Sequence, residues 1–145
     1  YEGFKRLAER GTITARPALF AVQPAACAPL VQALAKGWDR PQPVEPAPTI
    51  AGGITIADPP RGPALLQALR ETGGAAVAVA DTAILRWGQL LARLEGVYAE
   101  PTAAAAVAGL AKLVAARLVD PAAAVVVVIT GSGLKDPDRS GRVQN

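Results

Sequence analysis

The residues best suited to chemistry stand at the end of the longest β-branched run of the chain. This run, residues 125–129, leads into Thr130, and the turn sequence Gly131-Ser132-Gly133 follows. An unbroken β-branched run is typical of a strand buried on both faces in a parallel sheet. Open α/β sheets bind ligands beyond the carboxyl ends of their strands. We therefore predict a buried strand over residues 125–129 that places the Thr130 hydroxyl against a ligand. A core strand followed by a flexible turn is the alternative, because motifs this short recur in unrelated proteins.

The residue types that the chain lacks exclude several kinds of site. Histidine is absent, and Cys27 is the only cysteine. A zinc site draws on several histidine or cysteine ligands, and an internal disulfide needs two cysteines. Nucleophilic catalysis by a Ser-His or Cys-His pair needs the missing histidine. The sequence therefore indicates neither a metal site nor a hydrolase-type catalytic pair.

Length, charge and hydropathy describe a domain with a core of its own. The chain has 145 residues, of which 51% are apolar, and its net charge of +3 is spread along its length. No clustered basic face is evident, which argues against a nucleic-acid partner. No apolar run approaches the ~20 residues of a membrane span, and no signal-peptide core follows the first residues. Because the chain begins at Tyr1 and contains no methionine, we expect it to be a piece of a longer protein.

Helical and extended patterns alternate along the chain. Apolar residues at helical spacing predict helices over residues 2–10, 27–36, 63–72, 82–95 and 102–118. Short apolar runs predict strands over residues 18–23 and 75–80, in addition to 125–129. Asp81 is the expected N-cap of the fourth helix, Gly96 its C-terminal stop, and Trp87 part of its inward face. This order predicts an α/β fold with a mostly parallel sheet covered by helices. The proline-rich residues 38–48 are expected to form a surface loop rather than a linker.

Several short motifs occur in a fixed order that points to a known family. Each motif is weak alone, but together they span nearly the whole chain. They are Val22-Gln23-Pro24, Cys27-Ala28-Pro29, Thr49-Ile50-Ala51-Gly52-Gly53-Ile54, Asp58-Pro59, Ala68-Leu69-Arg70-Glu71-Thr72-Gly73-Gly74, Val79-Ala80-Asp81, Ile84-Leu85, Leu94-Glu95-Gly96-Val97-Tyr98-Ala99-Glu100-Pro101 and Thr130-Gly131-Ser132-Gly133-Leu134-Lys135-Asp136-Pro137. The series resembles the carboxyl-terminal part of the threonine synthases. These enzymes use pyridoxal 5′-phosphate and share fold type II with tryptophan synthase β and the serine/threonine dehydratases.

The resemblance implies both a fold and a reaction. Residues 1–145 would be the C-terminal portion of the large cofactor-binding domain, a mostly parallel sheet with helices on both faces. The parent enzyme would be a lyase of threonine biosynthesis that converts O-phospho-L-homoserine and water to L-threonine and phosphate. It is further expected to be a cytoplasmic homodimer, with the Trp87 face as a candidate contact, and to bind neither nucleic acid nor membrane.

The resemblance also assigns cofactor-binding residues, although no catalytic and no metal-binding residue. Thr130 would place its hydroxyl against the ring nitrogen of the cofactor, and Gly131 would leave room beside the ring. Ile50, Ala51 and Gly52 would line the site, and Glu100 would lie beside the ring. Glu100 has an alternative explanation as a surface acid before a helix that begins with proline, where the helix N-terminus favours negative charge.

Two parts of the family's cofactor site are not recognised in this sequence. They are the lysine that forms a Schiff base with the cofactor and the glycine-rich loop that binds the cofactor phosphate. The lysines present are Lys5, Lys36, Lys112 and Lys135, and their patterns place them on charged helix faces or in the polar tail. The isolated chain is therefore expected to be inactive and to depend on the N-terminal half of the same enzyme.

Departures from the family pattern leave two other functions open. Ser132 stands where threonine synthases often have histidine, and Thr102-Ala103-Ala104 replaces a common x-Gly-Ala sequence after Glu-Pro. One alternative is a fragment of a serine/threonine dehydratase-like lyase of the same fold type. The other is a non-catalytic α/β module that binds a partner protein, for which the missing lysine and phosphate loop are expected.

Overall fold

Helices and strands alternate through most of the chain, as the sequence predicts. The computed structural model describes residues 1–135. Within them lie α1 (Glu2–Glu9), β1 (Phe20–Pro24), α2 (Pro29–Ala35), α3 (Gly62–Glu71), β2 (Ala75–Val79), α4 (Asp81–Glu95) and α5 (Pro101–Ala115). Two short 3-10 turns follow the loop and the last extended segment, at Gly52–Ile54 and Gly133–Lys135. Residues 136–139 of the predicted polar tail lie outside the described part of the chain.

The two strands form a parallel pair with helices on both faces. Val22 of β1 lies opposite Val77 of β2, and Gln23 lies opposite Ala78. Successive side chains of a strand point to opposite faces, so Val22 and Gln23 mark the two faces of the pair. Val22 packs against α5. On the other face, the Gln23 side-chain oxygen accepts the Leu30 N–H of α2 at 2.9 Å. This bond satisfies one of the free N–H groups in the first turn of α2 and pairs a buried polar side chain.

Helix α5 approaches the sheet and α4 closely because its contact residues are small. An alanine-rich cluster joins it to α4, β2 and the loop before α3, with members Ala51, Val79, Ile84, Ala99, Ala103, Ala104, Ala105 and Ala108. Trp87 and Leu91 of α4 pack against this cluster, which confirms the inward face predicted for that helix. A side chain at Gly109 of α5 would overlap the methyl groups of Val22. Glycine at this position therefore sets the distance between α5 and β1.

The predicted element boundaries are correct to within a few residues for most helices. Gly96 has a φ of 69° and ends α4, a left-handed backbone conformation that glycine adopts without steric cost. Helix α5 ends at Ala115, three residues before the predicted end. Residues 38–48 form no helix or strand. They are held by backbone hydrogen bonds such as Ala47 N–H to Ala26 O at 3.0 Å.

The strand predicted over residues 125–129 is the main error of the sequence interpretation. These residues form no strand, and Val126 is 90% exposed while Val128 is 67% exposed. Val127 and Ile129 are half-buried, and Ile129 packs against the alanine-rich cluster. The segment is thus covered on one face only. A β-branched run forms a strand when another strand pairs with it, and β1 and β2 pair with each other instead.

Candidate functional site

The segment that ends at Thr130 is joined to the chain just before α5. Ala99 and Ser132 form an isolated antiparallel bridge. The Glu100 N–H donates to Gly131 O at 3.1 Å, and the Gly133 N–H donates to Tyr98 O at 2.9 Å. These bonds place the Gly-Ser-Gly turn beside the first residues of α5. Two motifs that stand about thirty residues apart in the sequence therefore meet in one place.

An open cleft of about 390 Å³ lies at this junction, within the range typical of small-molecule sites. The residues that line it come from both segments: Val97, Tyr98, Ile129, Thr130, Gly131, Ser132 and Lys135. Thr130 is exposed here, so its hydroxyl is available to a ligand. The walls combine apolar side chains with a hydroxyl and an ammonium group.

Glu100 and the two glycines of the turn fit tightly together. Glu100 is half-buried and immediately precedes α5, with an extended backbone and no side-chain hydrogen bond to the helix. A Cβ on Gly131 would overlap the Glu100 carboxylate, and one on Gly133 would lie 2.7 Å from the Tyr98 ring. Glycine at these positions lets the turn approach the chain before α5. Glu100 is therefore held next to Thr130 rather than projecting freely as a surface acid.

Ile50, Ala51 and Gly52 lie at the same end of α5 but outside the lining of the cleft. Ala51 is fully buried and shares the alanine-rich cluster with Ala99. The neighbouring Gly53 N–H donates to the Thr102 hydroxyl at 3.3 Å, in the first turn of α5. The segment thus contacts α5 beside the cleft, with Ile50 half-buried and Gly52 exposed.

Asp81 binds this segment instead of capping its own helix. It is the first residue of α4, and Ala80 precedes the helix without a side-chain cap. One Asp81 oxygen accepts the Thr49 hydroxyl at 2.6 Å, and the other accepts the Ile50 N–H at 3.0 Å. The predicted N-cap role is therefore wrong, because a loop about thirty residues earlier offers the carboxylate two donors at once.

Lys135 is a residue of the cleft that the sequence interpretation missed, since it assigned this lysine to a polar tail. The 3-10 turn after Ser132 brings it back to the lining, and the Gly-Ser-Gly sequence was the available signal for such a reversal. Lys112 donates its ammonium to Ala78 O at 2.7 Å, and the Lys36 ammonium lies 4.4 Å from the Trp38 ring centre. Those two lysines therefore contribute to the fold.

The shifted titrations lie outside the cleft. Burial raises the pKa of the Cys27 thiol, which is 1% exposed. A hydrogen bond from Tyr1, supported by one from Gln67, lowers the pKa of the Glu71 carboxyl. The same contact raises the pKa of Tyr1. These groups belong to the packing of the fold rather than to the candidate site.

Two negative findings apply to residues 1–135. No group of three or more histidine, cysteine, aspartate or glutamate side chains there is arranged to hold a metal ion. Over the same residues, every helix is too short or too polar to cross a bilayer.

Comparison with known proteins assigns the fold and the family. A family model described as "Pyridoxal-phosphate dependent enzyme" matches residues 1–131. The threonine synthase of Methanocaldococcus jannaschii is 37% identical over 142 residues, covering 98% of this chain and 35% of the relative. The threonine synthase of Methanosarcina acetivorans is 39% identical over 137 residues, covering 94% and 34%. These relatives confirm the resemblance to threonine synthases, and the chain spans about a third of their length.

Solved structures agree with this fold. Maize serine racemase has a TM-score of 0.53 at 22% identity, over 71% of this chain and 30% of its own. A bacterial threonine deaminase, from T.th., has a TM-score of 0.54 at 25% identity, over 67% and 30%. The predicted fold class, an α/β arrangement of the fold type II enzymes, is thereby confirmed.

Proposed function

The chain belongs to the family of pyridoxal-phosphate dependent enzymes, and we propose that it supplies one wall of the cofactor site in a longer enzyme. The observation that carries the proposal is the exposed Thr130 hydroxyl in the cleft beside Glu100 and Gly131. A hydroxyl donor between apolar walls fits a pyridine ring, whose nitrogen needs a partner and whose faces do not. Gly131 leaves the approach to this hydroxyl free of side chain.

Thr130 would orient the ring and set its electron demand. When bound, the cofactor acts as an electron sink for bonds to the amino-acid substrate. A neutral hydroxyl donates a hydrogen bond to the ring nitrogen without transferring its proton, unlike a carboxylic acid partner. The resulting sink is milder, which suits elimination and replacement reactions. Glu100 would stand beside the ring, and the 50–52 segment would complete the wall at the start of α5.

The reaction that we propose for the whole enzyme is that of threonine synthase. In this reaction O-phospho-L-homoserine and water give L-threonine and phosphate. Identities of 37% and 39% to threonine synthases over nearly the whole chain support this choice. Likeness to a threonine deaminase at 25% identity supports the shared fold. A dehydratase-like lyase remains the second candidate, and substrate tests on the whole enzyme separate the two.

The remainder of the enzyme would supply the cofactor lysine and the phosphate loop. It would also offer a partner strand to residues 125–128, whose exposed valines leave one face of that segment uncovered. Unpaired extended edges tend to associate. We further propose a cytoplasmic homodimer, as the family resemblance implies, and we expect the 145-residue chain alone to be inactive.

The first experiment adds pyridoxal 5′-phosphate to the 145-residue chain. Borohydride reduction and a peptide map then locate any modified lysine. We expect no defined absorption band and scattered labelling over Lys5, Lys36, Lys112 and Lys135. A stable band with one lysine labelled stoichiometrically, or formation of threonine, would contradict the proposed dependence on the rest of the enzyme.

The second experiment tests Thr130 in a hybrid enzyme. In the hybrid, this chain replaces the 142 matched residues of the Methanocaldococcus jannaschii threonine synthase. Thr130→Val removes the hydroxyl, shifts the cofactor absorption and lowers kcat/KM by roughly ten- to hundredfold, the range expected for one lost hydrogen bond to a buried polar group. Thr130→Ser keeps the donor and serves as the matched control. Equal spectra for the two variants would refute the assignment of Thr130.

A further inference from the structure

We infer that Asp81 is a positioning residue, which holds the 49–52 segment beside the start of α5 and so keeps one wall of the proposed site in place. The inference rests on the proposed function. Its structural basis is a set of hydrogen bonds between the first residue of α4 and a loop 31 residues earlier. Sequence patterns assign Asp81 only a capping role, and the structure gives it a different one.

The two oxygens of Asp81 hold two successive residues of the loop. One accepts the Thr49 hydroxyl at 2.6 Å, and the other accepts the Ile50 N–H at 3.0 Å. The Thr49 hydroxyl oxygen in turn accepts the Ala51 N–H at 3.2 Å. The Ala51 carbonyl accepts the Thr55 hydroxyl at 3.1 Å. Side-chain hydroxyls therefore bind both the N–H and the carbonyl oxygen of Ala51, a fully buried residue.

The position of Asp81 strengthens this hold. A carboxylate in the first turn of a helix is stabilised in its ionised form by the helix dipole. Hydrogen bonds to an ionised acceptor are about twice as strong as neutral ones. The loop itself carries prolines at 46 and 48, which remove backbone donors and prevent regular pairing. A side-chain anchor replaces the strand hydrogen bonds that this segment lacks.

The held segment contacts the start of α5 next to Glu100. Gly53 N–H donates to the Thr102 hydroxyl at 3.3 Å, and a Cβ on Gly53 would lie 3.0 Å from that hydroxyl oxygen. Thr102 follows Glu100 by two residues, and Glu100 packs against Gly131 in the cleft. Release of the segment from Asp81 would therefore remove a support on the α5 side of the cleft.

Amide hydrogen exchange in the 145-residue chain tests the hold directly. Asp81→Ala and Thr49→Val each remove a partner, and we expect exchange of the Ile50 and Ala51 amides to rise at least about tenfold, as for the loss of a charge-assisted hydrogen bond. Thr49→Ser keeps the hydroxyl and should restore protection. Asp120→Asn is the matched control, because Asp120 accepts the Ala122 N–H at 2.8 Å in a turn remote from this loop. Asp81→Asn, which keeps one acceptor oxygen, should give an intermediate rise.

A role confined to the helix charge gives a different result. In that case Asp81→Ala would raise exchange in the first turn of α4 and leave Ile50 protected, which would overturn the inference. An equal rise throughout β2 and α4 would mean general loss of stability and would overturn it as well. Thr49→Val provides the second route, since it leaves the carboxylate at the helix N-terminus.

Cofactor affinity in the hybrid enzyme separates this inference from the proposed function. We expect Asp81→Ala to weaken pyridoxal 5′-phosphate binding at least about fivefold, as one lost hydrogen bond would, while Asp120→Asn has no effect. If Thr130→Val changes the cofactor spectrum and Asp81→Ala leaves the affinity unchanged, the inference fails and the proposed function stands. If Thr130→Val changes nothing, the proposed function itself fails, whatever the exchange at Ile50 shows.

Discussion

The contact between Gly109 of α5 and Val22 of β1 gives a quantitative prediction about the fold. A Cβ at Gly109 would overlap both methyl groups of Val22, so Gly109→Ala must push α5 away from the sheet or move Val22 from its rotamer. Such overpacking costs about 1–3 kcal/mol. Alanine in a helix interior returns roughly 0.5–1 kcal/mol relative to glycine. We therefore expect a net loss of about 0.5–2 kcal/mol in the free energy of unfolding.

Urea unfolding followed by circular dichroism measures this loss. Gly3→Ala is the control, because a Cβ there meets nothing within 4 Å in α1, and it should be neutral or slightly stabilising. Val22→Ala makes room for the new methyl group. The double variant should thus be more stable than the sum of its parts by about 1 kcal/mol or more. A Gly109→Ala protein as stable as the original chain, or a double variant with no such coupling, would refute the argument.

Three further predictions concern single positions in the fold. Cys27 is buried with a raised pKa, so at pH 8 a thiol reagent should modify it only after unfolding in urea, and rapid modification of the native chain would contradict this. Gly96→Ala places a side chain at a φ of 69°, and it should lower the free energy of unfolding by about 1–2 kcal/mol, whereas Gly3→Ala should not. Glu71 has a lowered pKa, so its stabilising effect is present above its ordinary pKa of 4.5 and is lost as the pH falls through the folded value. The stability difference between the original chain and Glu71→Gln should therefore vanish in acid, and a difference that persists at low pH would count against this assignment.

The elements that the sequence predicts correctly are those set by local pattern. Helical spacing of leucine and alanine locates α3 and α4, and glycine at 96 marks where α4 ends. Strands β1 and β2 are short apolar runs between turn residues, and each lies within two residues of its predicted limits. In these cases the information needed to choose the structure lies within about fifteen neighbouring residues.

The errors concern contacts between distant parts of the chain. The 125–129 run has the composition of a strand, but strand formation depends on a partner that local sequence does not specify. Asp81 stands where a cap is expected, but the Thr49 hydroxyl and the Ile50 N–H compete for its oxygens. The approach of Glu100 to Gly131 likewise joins residues 31 positions apart. Family resemblance identified these residues as site candidates, while their physical connections came only from the structure.

The candidate site depends on the position of α5 more than on any one loop. Gly53 contacts its first turn, and Glu100, just before it, packs against Gly131 beside the cleft. Gly109, which sets the distance from α5 to β1, is nine residues beyond Glu100, about 13 Å along the helix. Because a helix moves as a rigid rod over that length, displacement at Gly109 should reach the cleft. Gly109→Ala in the hybrid enzyme should therefore weaken cofactor binding although residue 109 does not line the cleft. Unchanged affinity would show instead that the Tyr98–Gly133 and Glu100–Gly131 bonds hold the site independently of the sheet.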